Sequence, residues 1–121
     1  MTIQALGTHL TVCTMAAMPD TLPDGLCFFA RTDEEISLVC ETDRVPSGTL
    51  AREAGWRALR IAGPLDFSLI GILARISALL AQEKIGIFAV STYHTDYILT
   101  KEEHFERALA ALARAGYEVL R

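Results

Sequence analysis

Gly86-Ile87-Phe88-Ala89-Val90-Ser91-Thr92-Tyr93-His94-Thr95-Asp96-Tyr97-Ile98-Leu99-Thr100 decides the fold. Two apolar runs flank a short polar turn. The pattern predicts a hairpin of Ile87 to Thr92 and Asp96 to Thr100 around Tyr93-His94-Thr95. Upstream lies Leu65-Asp66-Phe67-Ser68-Leu69-Ile70-Gly71, a loop containing a glycine. Leu69, Ile72, Leu73, Ile76, Leu79 and Leu80 then fall on one stripe at helical spacing, so a helix is expected from about Ser68 to Gln82. Asp66 and Ser68 each suit its N-cap, because a side-chain oxygen there accepts from the unpaired amides of the first turn. Gly71 would sit in the first turns, where glycine costs roughly 1 kcal/mol against alanine. Gly86 marks the exit from the helical region.

The flanks extend this unit. Thr100-Lys101-Glu102-Glu103 fits a capping box, and it predicts a helix from Lys101 to Ala115 that buries Phe105, Ala108, Leu109 and Leu112. Gly116 ends that helix, and Tyr117 to Leu120 forms a last short strand. On the other side, Trp56 to Ile61 reads as a strand. One face would carry Trp56, Ala58 and Arg60, the other Arg57, Leu59 and Ile61. The order strand, helix, strand, strand, helix, strand is ferredoxin-like. It implies a four-stranded antiparallel sheet with both helices on one face.

The first half repeats this skeleton in reduced form. Thr8 to Thr14 alternates apolar and polar residues and predicts a strand with Leu10 and Val12 facing the core. Pro19-Asp20 and Pro23-Asp24-Gly25 leave room for at most a turn of helix. Leu26 to Ala30 and Ile36 to Cys40 form a second predicted hairpin about Thr32-Asp33-Glu34-Glu35. Thr42 to Gly48 reads as a loop, with a short helical turn at Thr49 to Glu53 closed by Gly55. Phe28 to Val39 and Phe88 to Leu99 share the sequence apolar strand, polar turn, apolar strand, which reads as an internal duplication. The expected fold class is therefore α+β: two ferredoxin-like modules in tandem, residues 1–55 with short helices and residues 56–121 complete.

Composition narrows the function. The 121 residues are 51% hydrophobic, ample for a core, and 21% charged with a net charge of −4. No basic patch favours nucleic acid. No apolar run reaches the ~18–20 residues that span a bilayer, and no positive segment precedes an apolar core at the N-terminus. A cytoplasmic protein without membrane or nucleic-acid partners is expected. Cys13, Cys27 and Cys40 are odd in number and lack C-x-x-C spacing, so buried reduced thiols are expected. His9, His94 and His104 share no ligand spacing, and no metal site follows. No serine has a defined His–carboxylate partner, and no phosphate-binding or dinucleotide motif occurs. No catalytic residue and no cofactor are expected.

Trp56-Arg57-Ala58-Leu59-Arg60, Gly63-Pro64-Leu65-Asp66-Phe67-Ser68 and Ile87-Phe88-Ala89-Val90-Ser91-Thr92-Tyr93 with Thr95-Asp96-Tyr97-Ile98-Leu99 resemble the small bacterial tandem ACT-domain proteins. Those are similar in turn to the ACT modules of cytosolic arginine sensors and aspartate kinases. The resemblance covers nearly all of the second half and, more loosely, the first. It departs at His94, where the family's run would carry Asp. It implies a non-enzymatic regulatory module that binds a free amino acid at an interface between ACT modules. It further implies a homodimer and a regulated enzyme or transporter as partner.

Physical chemistry places the same ligand. A helix N-terminus offers unpaired amides and partial positive charge to a carboxylate. Asp96 on the hairpin could accept the ammonium. The expected ligand-binding set is Asp66, Phe67, Ser68, Leu69, Ile70, Gly71, Ser91, Thr92, Thr95 and Asp96. The bland readings are helix capping for Asp66 and Ser68 and turn capping for Asp96. The alternative function is a structural module that dimerises through its sheets and binds nothing small.

Overall fold

The computed structural model describes residues 1–62 and 70–121. Seven strands and two α-helices are assigned: β1 (Thr2–Met15), β2 (Cys27–Arg31), β3 (Ile36–Glu41), β4 (Thr49–Ile61), α1 (Ile72–Gln82), β5 (Phe88–Ser91), β6 (Asp96–Lys101), α2 (Glu102–Arg114) and β7 (Glu118–Leu120). Two compact units result. The first is Met1–Gly7 with Arg57–Arg121, and the second is Thr8–Trp56. The boundary expected at residue 55 thus differs at the chain's start, where Met1–Gly7 fall in the first unit. Among the described residues no helix is long and apolar enough to cross a membrane.

In the first unit the strands run in the order β7, β1, β4, β6, β5. Ala62 N–H donates to the Thr2 carbonyl at 2.9 Å, tying the end of β4 to the start of β1. β7 lies beside β1 in parallel, with Thr2 opposite Glu118 and Gln4 opposite Leu120. This corrects the expectation of wholly antiparallel pairing. The start of the chain takes the place beside β4 that the last strand holds in a simple ferredoxin-like sheet, so β7 pairs outside it.

Alternation along the strands sorts side chains by face. Ile3 of β1, Leu59 and Ile61 of β4 and Ile98 of β6 join Ile76 and Leu80 of α1 and Phe105, Leu109 and Leu112 of α2 in one buried cluster. Each large apolar side chain so buried contributes on the order of 2 kcal/mol. Arg57 shares that face, as its alternation predicts. Its guanidinium lies 4.5 Å from the Phe105 ring centroid, and Nη2 donates to the Leu6 carbonyl at 3.0 Å.

The helix ends depart from expectation. α1 begins at Ile72, with Gly71 as a left-handed N-cap at φ 82°. The expected caps Asp66 and Ser68 lie outside the described residues. At the other end Lys84, at φ 59°, takes the left-handed position. Lys84 N–H donates to Ala81 O, and Ile85 N–H donates to Leu80 O, both at 3.0 Å. This is a Schellman closure placed two residues before Gly86. The capping box at Thr100 does not form. The α2 N-cap is Lys101, without a side-chain cap, and Thr100 is a fully buried strand residue. Gly116 ends α2 as expected, at φ 102°. Its N–H donates to Ala113 O, and Tyr117 N–H donates to Leu112 O, both at 3.1 Å.

In the second unit the order is β2, β3, β1, β4. Residues 16–26 contain no helix, and a single 3-10 turn, Thr42–Arg44, follows β3. Thr49 to Glu53, expected as a helical turn, is the start of β4. Gly55, at φ 86°, is accommodated inside that long strand. The apolar cluster uses Cys13, Met15, Leu38 and Cys40, with Cys27, Phe29, Ile36 and Val45 packed on it. The face of β1 that enters this cluster is therefore Cys13 and Met15. Val12 points the other way, although Leu10 on that other face is fully buried.

The two hairpins match with a sequence offset of 60. Phe28 pairs with Val39 as Phe88 pairs with Leu99, and Arg31 with Ile36 as Ser91 with Asp96. β3 and β6 have the same pattern of burial, position by position.

Candidate functional site

The β5–β6 turn is built by two threonines. Thr92 N–H and Oγ1 both donate to the Thr95 carbonyl, at 2.8 and 3.0 Å. Thr95 Oγ1 donates to the Ile61 carbonyl at 2.6 Å and is buried, which ties the turn to β4. Thr32 makes the corresponding closure in the other hairpin, accepting on Oγ1 from the Glu34 and Glu35 amides at 3.1 Å each. At the first residue pair of the β5–β6 ladder, Ser91 Oγ donates to Asp96 Oδ1 at 2.6 Å. Tyr93 projects from the turn, 75% exposed, edge-on to His94 at 5.1 Å between centroids.

Two hollows adjoin the expected site residues, both within the first unit. One, of about 230 Å³, surrounds the start of α1 and is lined by Met1, Ile70, Gly71, Ile72, Arg75, Ala115, Gly116 and Tyr117. The left-handed Gly71 gives α1 no side-chain cap, and no acidic residue stands in its first turn. Its leading amides therefore keep their partial positive charge. Arg75, one turn further on, adds a full charge, with its guanidinium 5.6 Å from the Tyr117 ring centroid. An added Cβ at Gly71 would meet nothing within 4 Å, so conformation rather than crowding calls for glycine there.

The other hollow, of about 380 Å³, is lined by Gln4, Arg60, Ile61, Ala62, His94, Thr95 and Tyr97. Gln4, Arg60 and Tyr97 stand on three adjacent strands, next in sequence to Ile3, Ile61 and Ile98 of the core. They therefore occupy the face opposite the helices. Arg60 Nη1 lies 3.4 Å from the Tyr97 hydroxyl oxygen.

Of the expected ligand-binding residues, Ile70 and Gly71 border the first hollow and Thr95 borders the second. Ser91, Thr92 and Asp96 cluster at the turn and line neither. Asp66, Phe67, Ser68 and Leu69 lie outside the described residues. Sequence reading missed Arg75 and Tyr117 beside the α1 start, and Gln4, Arg60 and Tyr97 on the sheet. Arg75 carried a signal: it is a charge four residues after Gly71 in an otherwise uncharged helix. Arg60 also carried one, on the strand face away from Leu59 and Ile61.

The three cysteines are free thiols. Burial pushes Cys13 and Cys27 up, and it pushes Cys40 up to about 11. Among the described residues no group of His, Cys, Asp or Glu side chains could hold a metal ion.

Comparison with known proteins agrees with the fold. Residues 51–114 match the ACT domain model. The human cytosolic arginine sensor for mTORC1 subunit 1 is 32% identical over 108 residues. That alignment takes 82% of this chain and 33% of the relative, so the chain spans about a third of that protein's length. A crystal structure of an Agobacterium tumefaciens protein matches 98% of this chain and 91% of its own, with 30% identity and a TM-score of 0.87. Aspartate kinase from Synechocystis shares the fold at a TM-score of 0.71 and 16% identity, over 99% of this chain and 27% of the kinase. An α+β fold with two helices on its sheet, a family model over more than half the residues, and a whole-length crystallographic match agree: the chain belongs to the ACT-domain family.

Proposed function

We propose that this protein is a non-enzymatic regulatory module that binds a free amino acid in its first unit. The observation that carries the reading is the start of α1. A left-handed Gly71 starts the helix with no side-chain cap among the described residues, beside a hollow that Arg75 also lines. An amino acid's carboxylate suits that position. Asp96 supplies the acceptor for the ammonium. Ligand bound between the residues preceding α1, Asp66 to Leu69 among them, and the turn Ser91–Asp96 then changes a surface that a regulated enzyme or transporter reads. The repeat of the hairpin at an offset of 60 supports two ACT-type modules in one chain, and a second copy of the chain completes the regulatory assembly. The name of the human relative makes arginine the first ligand to test.

A thermal-shift screen of the whole chain against the common amino acids tests this. A ligand at about 100 times its dissociation constant adds about 2.7 kcal/mol of stability. For a domain of this size that is a rise on the order of ten degrees. Asp96→Ala should remove the shift. A well-folded chain that shifts with none of the amino acids would overturn the proposal. A shift that survives Asp96→Ala would take Asp96 out of the site.

A further inference from the structure

We propose a second site in the first unit: the hollow lined by Gln4, Arg60 and Tyr97 binds a small oxyanion, a carboxylate or phosphate carried by a metabolite. Its polar groups, on Gln4, Arg60 and Tyr97, are not among the residues of the amino-acid site, and it does not depend on that reading.

The argument begins with Arg60. A guanidinium has five N–H donors in a planar fork and cannot shed its charge. Arg60 is half-buried, and among the described residues its hydrogen bond is the 3.4 Å approach of Nη1 to the Tyr97 hydroxyl, with the ring centroid 6.0 Å away. Among the described residues no carboxylate lies within ion-pairing distance of it. Two arginines of the same unit do find such partners. Arg114 meets Glu83 at 3.0 Å, and Arg121 grips Glu106 through both terminal nitrogens, at 2.9 and 2.6 Å. A half-buried guanidinium that meets no carboxylate among the described residues is a site for an anion.

Its neighbours complete the chemistry. The Tyr97 hydroxyl accepts from Arg60 and so holds the guanidinium at the hollow. Gln4 Nε2 donates to the Ala5 carbonyl at 3.2 Å, which leaves its second N–H free to donate. His94 stands on the rim. The donors come from three adjacent strands, so the sheet fixes their spacing. The volume, about 380 Å³, lies in the range of small-ligand pockets. Thr95 borders the hollow, but its hydroxyl is committed to Ile61, so the floor of the site is rigid.

Isothermal titration of the whole chain with succinate and, separately, with inorganic phosphate tests the proposal, with sodium chloride at matched ionic strength as the control. The α1 start also suits an oxyanion, so variants at Arg60 and Arg75 assign any binding to one hollow or the other. Saturable binding of succinate assigns the ligand to carboxylates, and saturable binding of phosphate assigns it to phosphates. Either result supports the site if Arg60→Met weakens binding at least tenfold. Arg60→Lys, which keeps charge and stem but loses the fork, should fall between. It also serves as the test if Arg60→Met fails to fold. Arg75→Met, at the other hollow, should bind as the parent does. The proposal is overturned if neither probe saturates, if the Arg60 variants bind like the parent, or if the loss appears in Arg75→Met instead.

Discussion

Thr95 Oγ1 is one of three buried polar side chains among the described residues, and its 2.6 Å bond to the Ile61 carbonyl gives the hairpin turn its anchor on β4. The sequence made Thr95 a ligand-binding candidate because it sits in a polar turn. Its partner, 34 residues away, was not legible there. Thr95→Val keeps the shape and removes the donor. The buried Ile61 carbonyl then loses its partner, a penalty of about 1–3 kcal/mol. Chemical denaturation should show that loss as a lower midpoint with an unchanged slope, while Thr95→Ser should stay near the parent. The same limit explains Arg60 and Arg75. Their alternation or helical position could be read, but the hollows that give them meaning depend on strands and helices distant in sequence.

At the scale of elements, periodicity performed well and chain ends did not. The hairpins, α2 and the apolar stripe of α1 were all legible because burial on one face enforces a regular spacing. The termini follow local backbone choices that several residues can satisfy. Thr100 looked like a cap, yet β6 continues through it and buries its side chain, so the helix starts two residues later. Thr49–Glu53 looked helical in isolation, but the segment continues as β4 through Gly55. The parallel β1–β7 pair was invisible to local reading, since it joins the two ends of the chain. Gly86 was the natural candidate to end α1, but Lys84 occupies the left-handed position instead. A side chain there is strained by about 1 kcal/mol, and Gly carries no such penalty. Lys84→Gly should therefore raise stability by roughly 0.5–1 kcal/mol, seen as a higher denaturation midpoint. An unchanged or lowered midpoint would show that the Lys84 side chain contributes more than its conformation costs.

For the whole molecule, the 60-residue offset between hairpins was readable from the order of residues: two apolar runs about a polar turn, twice. That the same offset governs strand register and burial is the structural counterpart. The first half lacks helices because its prolines and glycines, Pro19, Pro23, Gly25 and Pro46, interrupt each place where a helix would lie. The helices present only in the first unit give it, at α1, a helix start that borders a hollow, and the central claim rests on that asymmetry. Nitrogen-15 NMR of the labelled chain, titrated with the amino acid that gives the largest thermal shift, tests it most directly. The account predicts saturable changes at the amides of Gly71, Ile72 and Thr92 to Asp96. Changes confined to Thr8–Trp56, or none at any amino-acid concentration up to the millimolar range, would contradict it.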